Sequence, residues 1–289
     1  MTFRPSFIIS PLMVRQIVAI ERTNGFLEAI RLRDDWIKAV RRNIQAEDAL
    51  ASVQIEGSSI TLERAFELAK DLVTRPDTKL SDPEREFLNY LQTFDAIEAL
   101  HNDREAVLSK GDLLNIHQSL VHGVRGSHRM AGQFRREQVE VGDRQGSEKT
   151  IHHNPPPWVT VENEITDLLD WVEGAKQKRK DLGNDDPWIH PAIVAAVTQH
   201  RLVWIHPFLD GNGRTARMFT TLILYQRGYD FKYLFNLSEY YNLDRDRYYE
   251  TLRTVDRTGD YTRWLEYFLG GLANQMVRVE ERARSAVTS

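Results

Sequence analysis

The stretch His206-Pro-Phe-Leu-Asp210-Gly-Asn-Gly-Arg214-Thr-Ala-Arg217 lies between two runs of helical patterning and cannot itself be helix throughout. Pro207 and the run Asp210-Gly211-Asn212-Gly213 break the repeat, and the helix resumes only after Arg214. Gly211 and Gly213 permit unusual backbone angles. Several main-chain N–H groups can therefore converge at the start of the next helix, where the helix dipole also favours an anion. That geometry is a nest for phosphate oxygens. Around it stand one imidazole, one carboxylate and two guanidinium groups: His206, Asp210, Arg214 and Arg217. The two arginines are three apart and so project from one side of the helix start. Moving a phosphoryl-linked group calls for this inventory, because charge must be neutralised and a nucleophile deprotonated.

On either side the chain reads mostly as helix, with apolar residues recurring at three- and four-residue steps. Leu88, Leu91, Phe94 and the run Ile97–Leu100 follow Asp82-Pro83, a cap residue and a proline at the first helical position. Similar runs occupy Val161–Val172, Ala192–Ile205, Thr215–Gln226 and Tyr261–Glu281, and Gly228 marks a helix stop. Strand character is confined to Gln138–His153. There Val139 and Val141 alternate with acids, a Gly/Asp/Ser-rich turn follows, and Thr150-Ile151 begins a return that Pro155-Pro-Pro157 stops. On sequence alone this hairpin is equally a decorative loop or a flap over a site. The mixed stretch Lys176–Asp186 reads as a solvated loop.

The chain has 289 residues, 41% of them hydrophobic, enough for one substantial core with an appended helical segment. A net charge of −4 and a pI near 6.2 give no basic footprint, so nucleic acid is not expected as a partner. There is no cysteine, which excludes disulfides, thiolate zinc sites and a cysteine nucleophile. No apolar run is long enough to span a bilayer and the N-terminus lacks a signal-peptide pattern, so the expected compartment is the cytoplasm, with no membrane partner. His117, His122 and His152-His153 lack the spacing of a zinc site. Neither a Gly-x-Ser-x-Gly elbow nor a Gly-x-x-x-x-Gly-Lys loop supports a hydrolase or P-loop reading. The tryptophans at 36, 158, 171, 188, 204 and 264 read as core or groove packing.

The 206–217 string resembles the Fic motif, His-Pro-Phe-x-(Asp/Glu)-Gly-Asn-Gly-Arg-x-x-Arg, at every specified position. Ala131-Gly-Gln-Phe-Arg135, Val139 and Pro155-Pro-Pro157 look like the flap region of that family. Leu237–Leu252, with Tyr248-Tyr249, looks like the helix that follows its active site. The resemblance implies an all-α Fic fold: a helical core with a small β-hairpin flap and an N-terminal helical segment. It divides the chain into an N-terminal region, 1–105, and a catalytic core, 106–289. It also implies an adenylyltransferase that moves AMP from ATP to a Ser, Thr or Tyr hydroxyl of a protein, which could be the chain itself. A homodimer is left open.

In that resemblance His206 is the general base, its unperturbed pKa suiting the task. Asp210 holds Mg²⁺, with waters and phosphate oxygens as the other ligands. Gly211, Asn212 and Gly213 form the nest, Arg214 and Arg217 neutralise the β- and γ-phosphates, and Phe208 anchors the loop. Tyr249 lines the adenine pocket, and Asp256, where family members usually carry Asn, accepts from the adenine amino group.

Ser52-Val-Gln-Ile-Glu56-Gly57 matches the family's inhibitory motif, (Ser/Thr)-x-x-x-Glu-(Gly/Asn). Independently of the family, Ala46, Ala49, Leu50 and Val53 mark a helix, about 46–57, that Gly57 ends with Glu56 in its last turn. An acid there opposes the helix dipole unless a cation meets it. The resemblance supplies Arg217 as that cation, withdrawn from the γ-phosphate. Two rival functions remain at this stage. Glu56 could orient a water that removes AMP, giving a de-AMPylating or bifunctional enzyme, or the chain could be a non-catalytic nucleotide sensor.

Overall fold

The computed structural model describes residues 3–71, 80–101, 107–124, 130–145, 148–177 and 189–288. Among them are eleven α-helices and one antiparallel hairpin. The order is α1 (Pro11–Ala29), α2 (Asp34–Ile55), α3 (Leu62–Asp71), α4 (Asp82–His101), α5 (Lys110–Val121), β1 (Val141–Gln145), β2 (Glu148–His153), α6 (Val161–Gln177), α7 (Pro191–Ile205), α8 (Asn212–Gln226), α9 (Leu237–Leu243), α10 (Arg245–Thr258) and α11 (Thr262–Thr288). The fold is all-α, as expected, with the hairpin its single sheet among the described residues. Most of Lys176–Asp186, and Trp188, lie outside those residues.

Helix α7 is the centre because it has no polar face: every residue from Pro191 to His200 is buried. Pro191 occupies its first position, and the His190 side chain accepts the N–H of Ala192 at 3.1 Å. Helix α8 returns along α7, and the 206–211 loop joins them. Helices α6 and α11 cover the rest of α7, while α2, α4 and α5 cover α8. Helix α1 lies on α11 and α2 on α9, so the N-terminal helices pack directly onto C-terminal ones.

Local chemistry sets the ends of these elements. Ser10 caps α1, accepting from Met13 N–H at 3.2 Å ahead of Pro11. Ser109 and Asp112 form a reciprocal capping box on α5. Helix α4 begins one residue earlier than the Asp82-Pro83 pattern suggests. Its cap is Ser81, whose N–H and hydroxyl donate to Glu84 at 2.8 and 2.7 Å, and Asp82 and Pro83 fill the first helical positions.

Two expectations need correction. The single helix expected over Leu237–Leu252 is two, broken at Asp244, whose side chain accepts Arg247 N–H at 3.1 Å to cap α10. Pairing in the hairpin starts at Val141, opposite His153, and not at Gln138. The Gln138 side chain instead donates to the Pro155 carbonyl at 2.9 Å, closing the hairpin stem. Among the described residues no helix is long and apolar enough to cross a membrane.

Trp264 of α11 joins the helices around the site. Fully buried, it donates its indole N–H to the Ala196 carbonyl of α7 at 2.7 Å, and its ring packs against Tyr241 of α9 and Tyr248 of α10. Trp264→Ala is expected to lower the unfolding free energy by about 3–5 kcal/mol in chemical denaturation. A loss below about 1 kcal/mol would mean that this cluster does not anchor α9 and α10.

Candidate active site

Helix α7 ends because His206 turns into the left-handed region, φ 50° and ψ 59°, while its N–H still bonds Leu202 O at 3.0 Å. A side chain other than glycine is strained there and must be held by its surroundings. His206 Nδ1 lies 3.3 Å from the Val203 carbonyl. A carbonyl only accepts, so the ring proton sits on Nδ1 and Nε2 keeps its lone pair. Burial lowers the His206 pKa to about 4, with the charges of His153 and Arg135 adding to it. The imidazole is therefore neutral at physiological pH.

The loop after His206 is built around Phe208, which is fully buried as expected. The ring of His117, from α5, lies flat on it, with centroids 3.6 Å apart and planes 6° from parallel. His117 Nδ1 accepts Gly132 N–H at 3.1 Å and its Nε2 donates to Asp210 O at 3.1 Å, so one neutral tautomer satisfies both. Burial lowers its pKa to about 4 as well. The Asn212 side chain both accepts from and donates to the Phe208 backbone, each at 2.9 Å. That side chain is committed within the loop, leaving only the Asn212 main chain for the nest. Gly211, at φ 76°, starts α8, where the first N–H groups have no partner within the helix.

The two arginines point to different helices. Arg214 Nη1 stands 3.0 Å from Glu86 of α4 and its Nη2 3.4 Å from Asp210, while its buried Nε has no hydrogen-bond partner among the described residues. Arg217 donates from Nε to Ser52 Oγ at 2.8 Å, and from Nη2 to Ser52 O at 3.0 Å and Glu56 Oε1 at 2.7 Å. Helix α2, longer than the expected 46–57 segment, thus delivers Ser52 and Glu56 to the motif, and Gly57 ends it at φ 90°. A Cβ added to Gly213 would clash with Glu56 Oε1, so the Glu56 carboxylate lies against the nest itself.

Residues 107–224 match the family model described as Fic/DOC family. This stretch is a Fic domain. A protein named Protein adenylyltransferase Fic from Nematostella vectensis is 29% identical over 181 residues, 61% of this chain and 36% of its own length. A namesake from Culex quinquefasciatus is 26% identical over 226 residues, covering 78% of this chain and 41% of its own length. The chain therefore spans less than half the length of these relatives. The crystal structure of a Fic family protein from Desulfovibrio desulfuricans is 25% identical and superposes with a TM-score of 0.75 over 99% of this chain and 77% of that one.

Beside the Fic motif lies a cleft of about 640 Å³. Tyr249 and Asp256 line it, with Glu56 and Gly57, and the hairpin borders it through Val141, Gly142 and His153. Asp256 is already engaged. His200 Nε2 is 3.1 Å from one of its oxygens and His153 Nδ1 is 3.8 Å from the other. The Tyr249 hydroxyl points to Ile55 O at 3.4 Å.

Several residues that matter to the Fic motif were not singled out from sequence. Glu86 and Asp48 sit inside ordinary helices, His117 was weighed only as a zinc ligand, and Arg135 was named only as part of the flap region. Asp48 left a signal, since it stands four and eight residues before Ser52 and Glu56 on the same helix face. Its carboxylate accepts Ser238 N–H at 2.9 Å, and burial raises its pKa to about 6.

Asn212→Ala removes both side-chain bonds to Phe208. It is expected to lower stability by about 1–3 kcal/mol and to speed amide exchange across 207–211, measured by mass spectrometry. Unchanged exchange there would show that the loop holds itself by other means.

Proposed function

We propose that this chain transfers AMP from ATP to a hydroxyl of a protein, and that Glu56 restrains the reaction. The observation that carries the reading is the Glu56–Arg217 pair at 2.7 Å, set on the nest beside a neutral, partly buried His206. The relatives named as adenylyltransferases support the class of reaction.

In this reading His206 Nε2 takes the proton of the incoming hydroxyl. The hydroxyl oxygen attacks the α-phosphorus, the bond to the β-phosphate oxygen breaks, and pyrophosphate leaves. The chain's part is positioning and charge stabilisation more than covalent chemistry. The main chain of Gly211, Asn212 and Gly213 cradles phosphate oxygens, and Arg214 and Arg217 meet the β- and γ-phosphates. The adenine ring enters the cleft beside Tyr249 and Asp256, and the hairpin receives the target segment as an added strand.

Asp210 is about half-exposed at the edge of the nest, and no group of three metal-ligating side chains occurs among the described residues. The Asp210 carboxylate is the residue that would hold Mg²⁺, an ion that needs only one or two protein carboxylates. Bound there, the ion neutralises phosphate charge.

Glu56 restrains the site because its carboxylate occupies Arg217 Nη2 at 2.7 Å and sets a negative charge against the nest that the phosphates would enter. While it is paired with Glu56, Arg217 is withheld from the γ-phosphate. Glu56 is also partly exposed at the cleft, a position from which it could orient a water for the reverse task of removing AMP.

The test follows transfer of label from α-labelled ATP to protein. Glu56→Gly is expected to raise it at least about tenfold. Because both effects pass through one guanidinium, the gain should disappear when Arg217→Ala is added. His206→Ala should abolish transfer and leave ATP binding in place. No gain in Glu56→Gly with a competent target removes the restraint. A simultaneous loss of AMP removal from a modified protein would assign Glu56 to the water instead.

A further inference from the structure

We propose that Arg135 is the positioning residue for His206, holding the imidazole and the hairpin stem as one unit; this rests on the reading of His206 as the base. Arg135 is almost fully buried, and its side-chain partners among the described residues are backbone carbonyls. Nε donates to His206 O at 2.9 Å, and Nη2 reaches Ile205 O at 3.5 Å. These carbonyls belong to the end of α7, where the last C=O groups have no partner within the helix and the dipole is negative. Arg135 therefore caps α7 at the residue that must stand in a strained left-handed conformation.

The other edge of the same guanidinium faces the hairpin. Nη1 donates to Glu137 O at 3.0 Å and Nη2 to Pro156 O at 2.5 Å, one carbonyl on each side of the stem. The Arg135 main-chain N–H adds a bond to Pro207 O at 2.8 Å. Movement of the stem is thus transmitted to the backbone of His206 through one planar, rigid group. Lysine cannot reproduce this, since its single ammonium lacks the fork that spans both edges.

The arrangement also has an electrostatic consequence. The charged groups that bear on the His206 ring are His153 from β2, Glu56 from the end of α2, and Arg135. Arg135 and His153 oppose protonation of His206, and Glu56 favours it. Burial is the main cause of the low His206 pKa and Arg135 the smallest of these contributions, so removing the Arg135 cation should move the His206 titration up only a little, and lysine, which keeps the charge, less still.

The full chain is examined as wild type, Arg135→Lys and Arg135→Met. The His206 ring is titrated by NMR without nucleotide, amide exchange is followed across 137–156, and kcat and KM for ATP are measured in the Glu56→Gly background. Both variants should lose roughly 100-fold in kcat with KM for ATP unchanged, the size of effect a misplaced group produces. Exchange at the stem should rise in both, and the His206 titration should move up in Arg135→Met more than in Arg135→Lys. If the methionine variant does not fold, the lysine variant carries the test through kcat and exchange. Lowered stability with the His206 titration and kcat left at wild-type values would mark Arg135 as merely structural and overturn the proposal. A wrong assignment of the base shows separately. His206→Ala would then keep its transfer activity, while titration and exchange still report on Arg135.

Discussion

Arg217 is a buried cation, and the arrangement of half the molecule answers to it. A guanidinium removed from water needs both opposite charge and hydrogen-bond acceptors, or the fold loses several kcal/mol. Ser52 and Glu56 supply them from α2, and Asp48 lies on the same helix face. For α2 to present that face, it must lie across α8 and α9, as it does. Asp48 then fastens α2 to the start of α9 through Ser238. Helix α2 is thus part of the hydrophobic core, and its end, Ile55 to Gly57, lies at the cleft. A change at Glu56 can free the arginine without unseating the helix that carries it.

The 206–211 loop is held by a different principle. Where Arg217 is satisfied by charge, the loop between α7 and α8 is satisfied by backbone-directed side chains: His117 on Asp210 and Gly132, Asn212 on Phe208, and Arg135 on Ile205 and His206. Each fixes a peptide group that no helix or strand can fix. None of these contacts involves Arg217. The loop is held independently of the Glu56–Arg217 pair, and in the proposed restraint the element that changes partner is a single guanidinium.

The string from His206 to Arg217 was legible in the sequence because its chemistry interrupts helical patterning and because it resembles a family motif, whereas Tyr249 and Asp256 came from the resemblance alone. Proline, two glycines, an imidazole and two arginines between apolar runs have no economical explanation as packing, so the string from His206 to Arg217 stood out. Glu56 stood out through Gly57, which ends its helix. What stayed hidden was support supplied from inside regular helices. Glu86 on α4 and His117 on α5 obey the helical period, and nothing in their neighbourhoods says which distant group they meet. The break at Asp244 was missed because Leu237–Leu252 was taken as one helix from the resemblance, although the charged run Asp244-Arg-Asp-Arg247 interrupts the apolar repeat and Asp244 caps a new helix there. The hairpin was readable as a hairpin. Its placement along the cleft depends on His153 meeting Trp204 and Asp256, contacts between residues far apart in the chain.

The central claim is that Glu56 and the γ-phosphate compete for one cation, and the most direct measurement is structural. Crystals of the wild-type chain and of Glu56→Gly, each soaked with Mg²⁺ and a non-hydrolysable ATP analogue, should hold the nucleotide differently. In Glu56→Gly the Arg217 guanidinium should lie on the γ-phosphate with the α-phosphorus facing His206 Nε2. In the wild type Arg217 should remain on Ser52 and Glu56, with the α-phosphate turned away. The same nucleotide pose in both, with Arg217 on the γ-phosphate while Glu56 is present, would contradict the account.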